Sequence, residues 1–191
     1  SSIAAVEKIF EGVDGNFLVY AGYERGDFCY YKPSLFSDLH MGYLKQLQTR
    51  EKEPARPVES FEEIQDCPLI KCFGSKKLML EMAEKLKATN LFELALIRDP
   101  FEPQFYLLLL TAPSVSKGSA LKEIMRKEGR GELVISAGDD ENDESMLREA
   151  DLKIAMPHAP ESLKKIADWI APPVSELGIL TALDWAIFHE R

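Results

Sequence analysis

The stretch VISAGDDENDESML, residues 134–147, decides how the chain is read. An apolar run ends at Gly138, and Asp139, Asp140, Glu141 and Asp143 then crowd around Asn142. Four carboxylates at one spot repel one another, so something positive belongs beside them. A hydrophobic run resumes about one turn later, as it does when a strand passes through a polar loop into a helix.

The sequence on either side fits that reading. SKGSALKEIMRKEG (116–129) reads as a helix with Leu121, Ile124 and Met125 on one face and Gly129 at its exit. ELVISAG (132–138) is a buried strand, DESMLREA (143–150) a helix and LKIAM (152–156) a second buried strand. PESLKKIADWIA (160–171) and LGILTALDWAIF (177–188) read as amphipathic helices, with Trp169 and Trp185 in their apolar faces. Such alternation predicts a parallel, doubly wound sheet, of which two core strands are clear. The acid cluster then lies just past the C-terminal end of a parallel strand, the edge where open α/β sheets bind ligands.

Three chemistries compete for that cluster. One is a solvated loop whose acids cap the following helix. The second is a calcium loop of the EF-hand kind, and it fails. Position six would be Glu144 rather than Gly, position twelve Ala150 rather than Glu, and the preceding element is a strand. The third is a magnesium site serving phosphate chemistry, because a few hard oxygen donors suit an ion that keeps its waters.

The upstream part, residues 1–112, has a different texture. AAVEKIFEGV is a short helix; FLVYAG and DFCYYKP are strands joined by a turn at 23–26. LFSDLHMGYLKQLQ is helical, TREKEPARPVESFEE a polar loop and PLIKCFG a strand. Gly74-Ser75 opens a helix with Met79, Met82, Ala83 and Leu86 on one face. ELALIRD and QFYLLLLTA are strands, with Pro100 and Pro103 between them. The short turns predict a largely antiparallel sheet with helices on one face.

Bulk properties narrow the function. The 191 residues carry a net charge of −9 and are 46% hydrophobic. An acidic chain is a poor partner for nucleic acid or an anionic membrane. No run approaches the roughly 20 apolar residues of a spanning helix. Three cysteines, Cys29, Cys67 and Cys72, lack metal spacing and fit free thiols in a reducing cytoplasm.

GDDENDESML resembles the G-D-x-x-N-D-x-x-M-L motif of the haloacid dehalogenase (HAD) superfamily, in its Cof-like phosphatase branch. SKGSAL is similar to that branch's lysine motif, DLKIAMPHA to the following strand and loop, and IAPPVSELGILTAL to its closing segment. Their order and spacing agree, and the likeness covers essentially the whole chain. It implies an α/β fold in which residues 1–112 are an α+β cap domain and 113–191 the C-terminal part of a Rossmann-like HAD core. It implies a Mg²⁺-dependent phosphatase acting on a small phosphorylated metabolite. Asp139 would be a direct Mg²⁺ ligand. Asp143 would sit beside it, as a ligand through water or as partner to the lysine. Asn142 would hold phosphate or orient Lys117, and Lys117 would offset phosphoryl charge.

The resemblance also has gaps. No D-x-D-x-T nucleophile motif is present; Asp14-Gly15 has Gly12 where the first aspartate belongs and reads as a turn. The expectation is that the chain opens inside the cap, so that it is inactive alone. A missing N-terminal core segment or a dimer partner would then complete it. The alternative is a non-catalytic, truncated HAD-like binding module. Asp140 stands where a small residue is usual, adding charge near the metal. Pro157-His158 stands where Gly-Asn is usual, and His158 reads either as a surface residue or as a group titrating near neutral pH beside the site. His40 and His189 have no sequence neighbours that suggest a role.

Overall fold

Apolar residues occur at both parities in the upstream strands, and this sets their packing. The computed structural model describes residues 2–50, 52, 54–64, 67–131 and 133–189, the side chain of residue 189 excepted. Residues 51 and 53 of the expected polar loop, residue 132 of the expected strand and the His189 side chain thus lie outside the description. The chain divides into two compact units, one ending at Pro113 and the other starting at Ser114.

The first unit runs α1 (Ser2–Phe10), β1 (Gly15–Tyr20), β2 (Cys29–Tyr31), α2 (Asp38–Arg50), β3 (Ala55–Pro57), β4 (Leu69–Gly74), α3 (Lys76–Lys87), β5 (Glu93–Arg98) and β6 (Tyr106–Thr111). The sheet order is β3-β2-β1-β4-β6-β5. All pairs are antiparallel except β2–β3. Phe17, Val19, Ile70, Cys72, Leu108 and Leu110 pack with Val6 and Phe10 of α1 and with Met79, Met82 and Leu86 of α3. Leu18, Phe73 and Leu107 face the other way, onto Tyr43, Leu44 and Leu47 of α2. Helices therefore cover both faces, not one as expected. The reason is in the strands: a run such as YLLLLT is apolar at both parities, so each face needs a cover.

Two details were not legible as patterns. The short strand β3 lies inside the stretch expected to be loop; it joins the sheet edge through its backbone, where Pro57 is tolerated. Asp99, 3% exposed, accepts the Tyr43 hydroxyl at 2.6 Å and the amides of Phe101 and Glu102 at 2.8 Å each. It thereby ties α2 to the proline-containing connection between β5 and β6.

The second unit runs α4 (Lys117–Glu128), β7 (Ile135–Gly138), α5 (Glu144–Glu149), β8 (Leu152–Ala155), α6 (Glu161–Lys164), β9 (Trp169–Ile170) and α7 (Gly178–His189). Its sheet is parallel, in the order β7-β8-β9. Leu147, Ala155, Ala159 and Leu163 form one core; Ile154, Ala171, Ala182 and Ala186 form another.

The segment 160–171 is not one helix. α6 stops at Lys164, and Asp168 pairs its backbone N–H with the Lys153 carbonyl at 2.8 Å while its carboxylate accepts the Lys153 amide at 2.9 Å. This aligns β9 with β8, giving three strands rather than two. Trp169 is thus on a strand, stacked on Trp185 of α7 with centroids 5.2 Å apart. The expected apolar face of α4 is not buried within this unit: Ile124 is 58% exposed. Among the described residues, no helix is long and apolar enough to cross a membrane, and all three cysteines are free thiols.

Candidate active site

Strand β7 ends at Gly138, and its register pairs Gly138 with Ala155 of β8. Both strands therefore release their loops at the same sheet edge. After β7 the chain makes a 3-10 turn at Glu141–Asp143 and enters α5. Asp140 caps that turn, its carboxylate accepting the Glu141 amide at 2.7 Å. The unusual acid at this position is thus engaged by backbone rather than left free.

Asp143 is the electrostatic centre of the turn. Its side chain is 4% exposed. Oδ2 accepts the amides of Asp139 at 2.9 Å and Asp140 at 3.2 Å. Oδ1 accepts the ammonium of Lys117 at 2.5 Å. Burial pushes the carboxyl pKa up, but Lys117 and the two amides outweigh it and hold the group below the usual carboxylate range. The positive partner that the acid cluster demanded is therefore Lys117, whose Nζ also reaches Asn142 Oδ1 at 3.4 Å.

Two glycines permit this. Gly118 follows Lys117 at the start of α4, and its amide donates to Ser145 Oγ at 3.1 Å. A β-carbon there would stand 2.4 Å from the Ser145 carbonyl oxygen, so any larger residue pushes α4 off α5 and draws Lys117 away. A β-carbon on Gly138 would meet Asp143 Cβ at 2.5 Å. Ser116 fixes the start of α4 by a reciprocal cap with Ser119. The motif letters "KGS" and "AGD" are thus packing requirements of the Lys117–Asp143 contact. Gly118 and Ser145 were missed as supporting residues, although glycine beside the motif lysine was a visible signal.

Asp139 differs from Asp143. Its carboxylate is 60% exposed and meets the Nε2 of His158 at 3.3 Å. His158 lies in the loop after β8, so strand pairing brings these two residues together. Of the residues singled out in sequence, Lys117, Asn142 and Asp143 form one contact group, while Asp139 stands at its rim with His158. His40 lies in the first unit, buried beside Phe36 and Phe73, with Nε2 3.8 Å from Asp14.

The donor set can be weighed against a divalent cation. Asp143 has both oxygens engaged, whereas Asp139 at the end of β7 offers an exposed hard-oxygen donor. Among the described residues no three His, Cys, Asp or Glu side chains gather into a metal cluster. One open carboxylate fits an ion that keeps several waters and takes further ligands from elsewhere, as Mg²⁺ does.

Residues 2–183 match the family of haloacid dehalogenase-like hydrolases. The chain is 41% identical over 80 residues to a phosphoglycolate phosphatase of Methanobrevibacter smithii, covering 41% of this chain and 34% of that protein. It is 39% identical over 72 residues to a phosphoglycolate phosphatase of Archaeoglobus fulgidus, covering 37% of this chain and 32% of that protein. The matched region spans about a third of the length of these curated relatives. Among solved structures, a haloacid dehalogenase-like hydrolase from Bacteroides thetaiotaomicron superposes with a TM-score of 0.69 at 22% identity, covering 97% of this chain and 66% of that one. A HAD subclass IIB sugar phosphatase superposes with a TM-score of 0.69 at 23% identity, covering 96% and 65%. With the match over residues 2–183 and a shared fold, the chain belongs to the haloacid dehalogenase-like hydrolase family, in its Cof-like branch.

Proposed function

We propose that the chain serves a phosphomonoester hydrolase, supplying the lysine and acid side of a Mg²⁺-assisted phosphoryl-transfer site. The observation that carries this reading is the Lys117–Asp143 contact. A buried carboxylate, itself held by two backbone amides, fixes the ammonium of a lysine whose side chain is 49% exposed and so can meet an anion. Phosphoryl transfer asks the protein chiefly for positioned positive charge around the phosphoryl oxygens.

In this proposal Lys117 binds and offsets the phosphoryl oxygens, and Asn142 limits the swing of its ammonium. Asp143 orients the lysine, and Asp139 holds the cation. Mg²⁺, when bound, supplies Lewis-acid stabilisation of the transferring group. Covalent phosphoryl transfer also needs an acceptor carboxylate. No Asp-x-Asp string occurs in these 191 residues, so the proposal places the acceptor on a separate core segment. The first unit is taken as the family's cap domain, and the substrate as a small phosphorylated metabolite. The names of the curated relatives make a phosphorylated carboxylic acid such as 2-phosphoglycolate the first substrate to test.

The test is phosphate release from 2-phosphoglycolate and glucose 6-phosphate with Mg²⁺. The chain is assayed alone and fused to an N-terminal Asp-x-Asp segment of a family member. The chain alone is expected to stay at background, and the fusion to turn over one of the two substrates. Turnover by the chain alone would reveal an acceptor within these residues, Asp14 being the first to examine. A folded fusion inert toward both would contradict the proposal.

A further inference from the structure

Strand β5 stands at one end of the first unit's sheet, with β6 on one side and, among the described residues, no strand on the other. The sheet's opposite end, β3, is guarded in the usual ways. It has three residues, Arg56 is exposed, and Pro57 offers no N–H. β5 carries no such guard. Its six residues, ELALIR, pair with β6 in unbroken register, without proline, lysine or bulge. Leu94 and Leu96 pack toward the core beneath α1 and α3, and Ile97 toward the core beneath α2. Apolar residues on both faces are the composition of an interior strand, yet one edge of this strand is open.

We infer that β5 pairs antiparallel with β5 of a second copy of this chain, joining two first units into one continuous sheet. The inference is independent of the phosphoryl-transfer reading. Backbone, charge and closure carry it.

The Asp99 amide donates to the Phe105 carbonyl at 3.1 Å. Backbone groups alternate in side along a strand, so the odd residues bond to β6, and Leu94, Leu96 and Arg98 present their N–H and C=O groups to the open edge. An antiparallel pair centred on Leu96 engages all three: Leu96 meets Leu96 of the second copy, and Leu94 meets Arg98 of the second copy. Charge selects that direction. Glu93 and Arg98 close the two ends of the strand, both are exposed, and neither has an ion pair among the described residues. Parallel pairing sets Arg98 beside Arg98, whereas antiparallel pairing brings the Arg98 end of each copy to the Glu93 end of the other. Directly across from Glu93 then stands Asp99, whose carboxylate is turned away onto the Tyr43 hydroxyl at 2.6 Å. The same alignment brings Leu91 of one copy toward Phe101 of the other, residues that are 41% and 51% exposed and that gain apolar cover there. Closure follows from the guarded end of the sheet. Each copy offers one open strand, so pairing about a two-fold axis stops at the dimer.

The test is sedimentation velocity and amide hydrogen exchange of the 191-residue chain from about 5 to 500 µM, the range in which a small interface associates. The chain is expected to pass from monomer to dimer over this range. The amides of Leu94, Leu96 and Arg98 should exchange about tenfold more slowly at the top of it, being open only in the residual monomer. Those of Ala95 and Ile97, bonded within the sheet, should not change. Glu93→Arg and Arg98→Glu, both at exposed positions, should each weaken the dimer at least about threefold, and the double variant should return to within about twofold of wild type. A chain that stays monomeric throughout overturns the inference. So does a dimer whose three edge amides show no dependence on concentration, because it uses another surface. Single variants that dimerise like wild type, or a double variant no better than either, overturn it as well.

Discussion

Replacing Asp143 by alanine separates the two aspartates that a sequence motif treats alike. The substitution removes an acceptor with 4% exposure and three donors, namely Lys117 Nζ and the amides of residues 139 and 140. A hydrogen bond to a charged group contributes about 1.5–3 kcal/mol when buried. Lys117 is half-exposed and regains water on release, so its share is at most about 1 kcal/mol. The two amides are partly buried and contribute about 1–1.5 kcal/mol each. The expected loss is about 3 kcal/mol. With a urea slope near ~2 kcal/mol per M, the midpoint falls by about 1.5 M. The assay is urea unfolding followed by tryptophan fluorescence. The chain has two tryptophans, Trp169 and Trp185, stacked on each other in the second unit, so the signal reports this unit. Asp139→Ala, which removes a 60% exposed side chain, should cost less than about 0.5 kcal/mol and so move the same midpoint by less than about 0.25 M. Equal losses for the two variants, or no loss for Asp143→Ala, would refute the division of labour between a structural and an open carboxylate.

Three further outcomes follow from the same geometry. Gly118→Ala forces a β-carbon against the Ser145 carbonyl; unfolding of the second unit should be easier by about 1–3 kcal/mol, as for an overpacked core, with the phosphate-release activity of the fusion reduced alongside. Tyr43→Phe deletes the buried hydroxyl that Asp99 accepts, and thermal unfolding followed by far-UV circular dichroism should show the first unit weakened by about 1–3 kcal/mol. His40 is held below the ordinary histidine range by burial, with Asp14 opposing. Its folded form binds a proton less readily than the unfolded chain, so its contribution is full above about pH 6.5 and is lost as pH falls below that. Unfolding midpoints between pH 8 and 5 should decline less steeply in His40→Phe.

Much of this architecture was legible because periodicity and motif agree. The helix from Lys76 to Lys87 carries Met79, Met82 and Leu86 on one face, and those residues are buried. The acid turn lies after a parallel strand because an apolar run, a glycine and a 3-10 turn capped by Asp140 follow one another there. Other features depended on contacts distant in sequence. β3 is only three residues long and includes Pro57, so its side chains gave no strand pattern. The segment at Asp168–Ile170 became strand because β8 offered it a partner, which overrode the helical spacing around it. Covering helices on both faces of the first sheet were implied by apolar residues at both parities in β6, a signal overlooked beside the hairpin pattern. The roles of Asp139 and Asp143 could not be told apart from spacing. Only the turn shows which carboxylate faces its own backbone and which faces water.

The most direct measurement is kcat for phosphate release by the chain fused to an Asp-x-Asp segment, compared among wild type, Lys117→Ala and Asp139→Asn. If these residues stabilise charge that develops on the transferring group, each variant should lose on the order of 10²-fold or more in kcat, the usual effect of removing one electrostatic stabiliser, while circular dichroism shows both folded. Folded variants that keep kcat within about threefold of wild type would contradict the account.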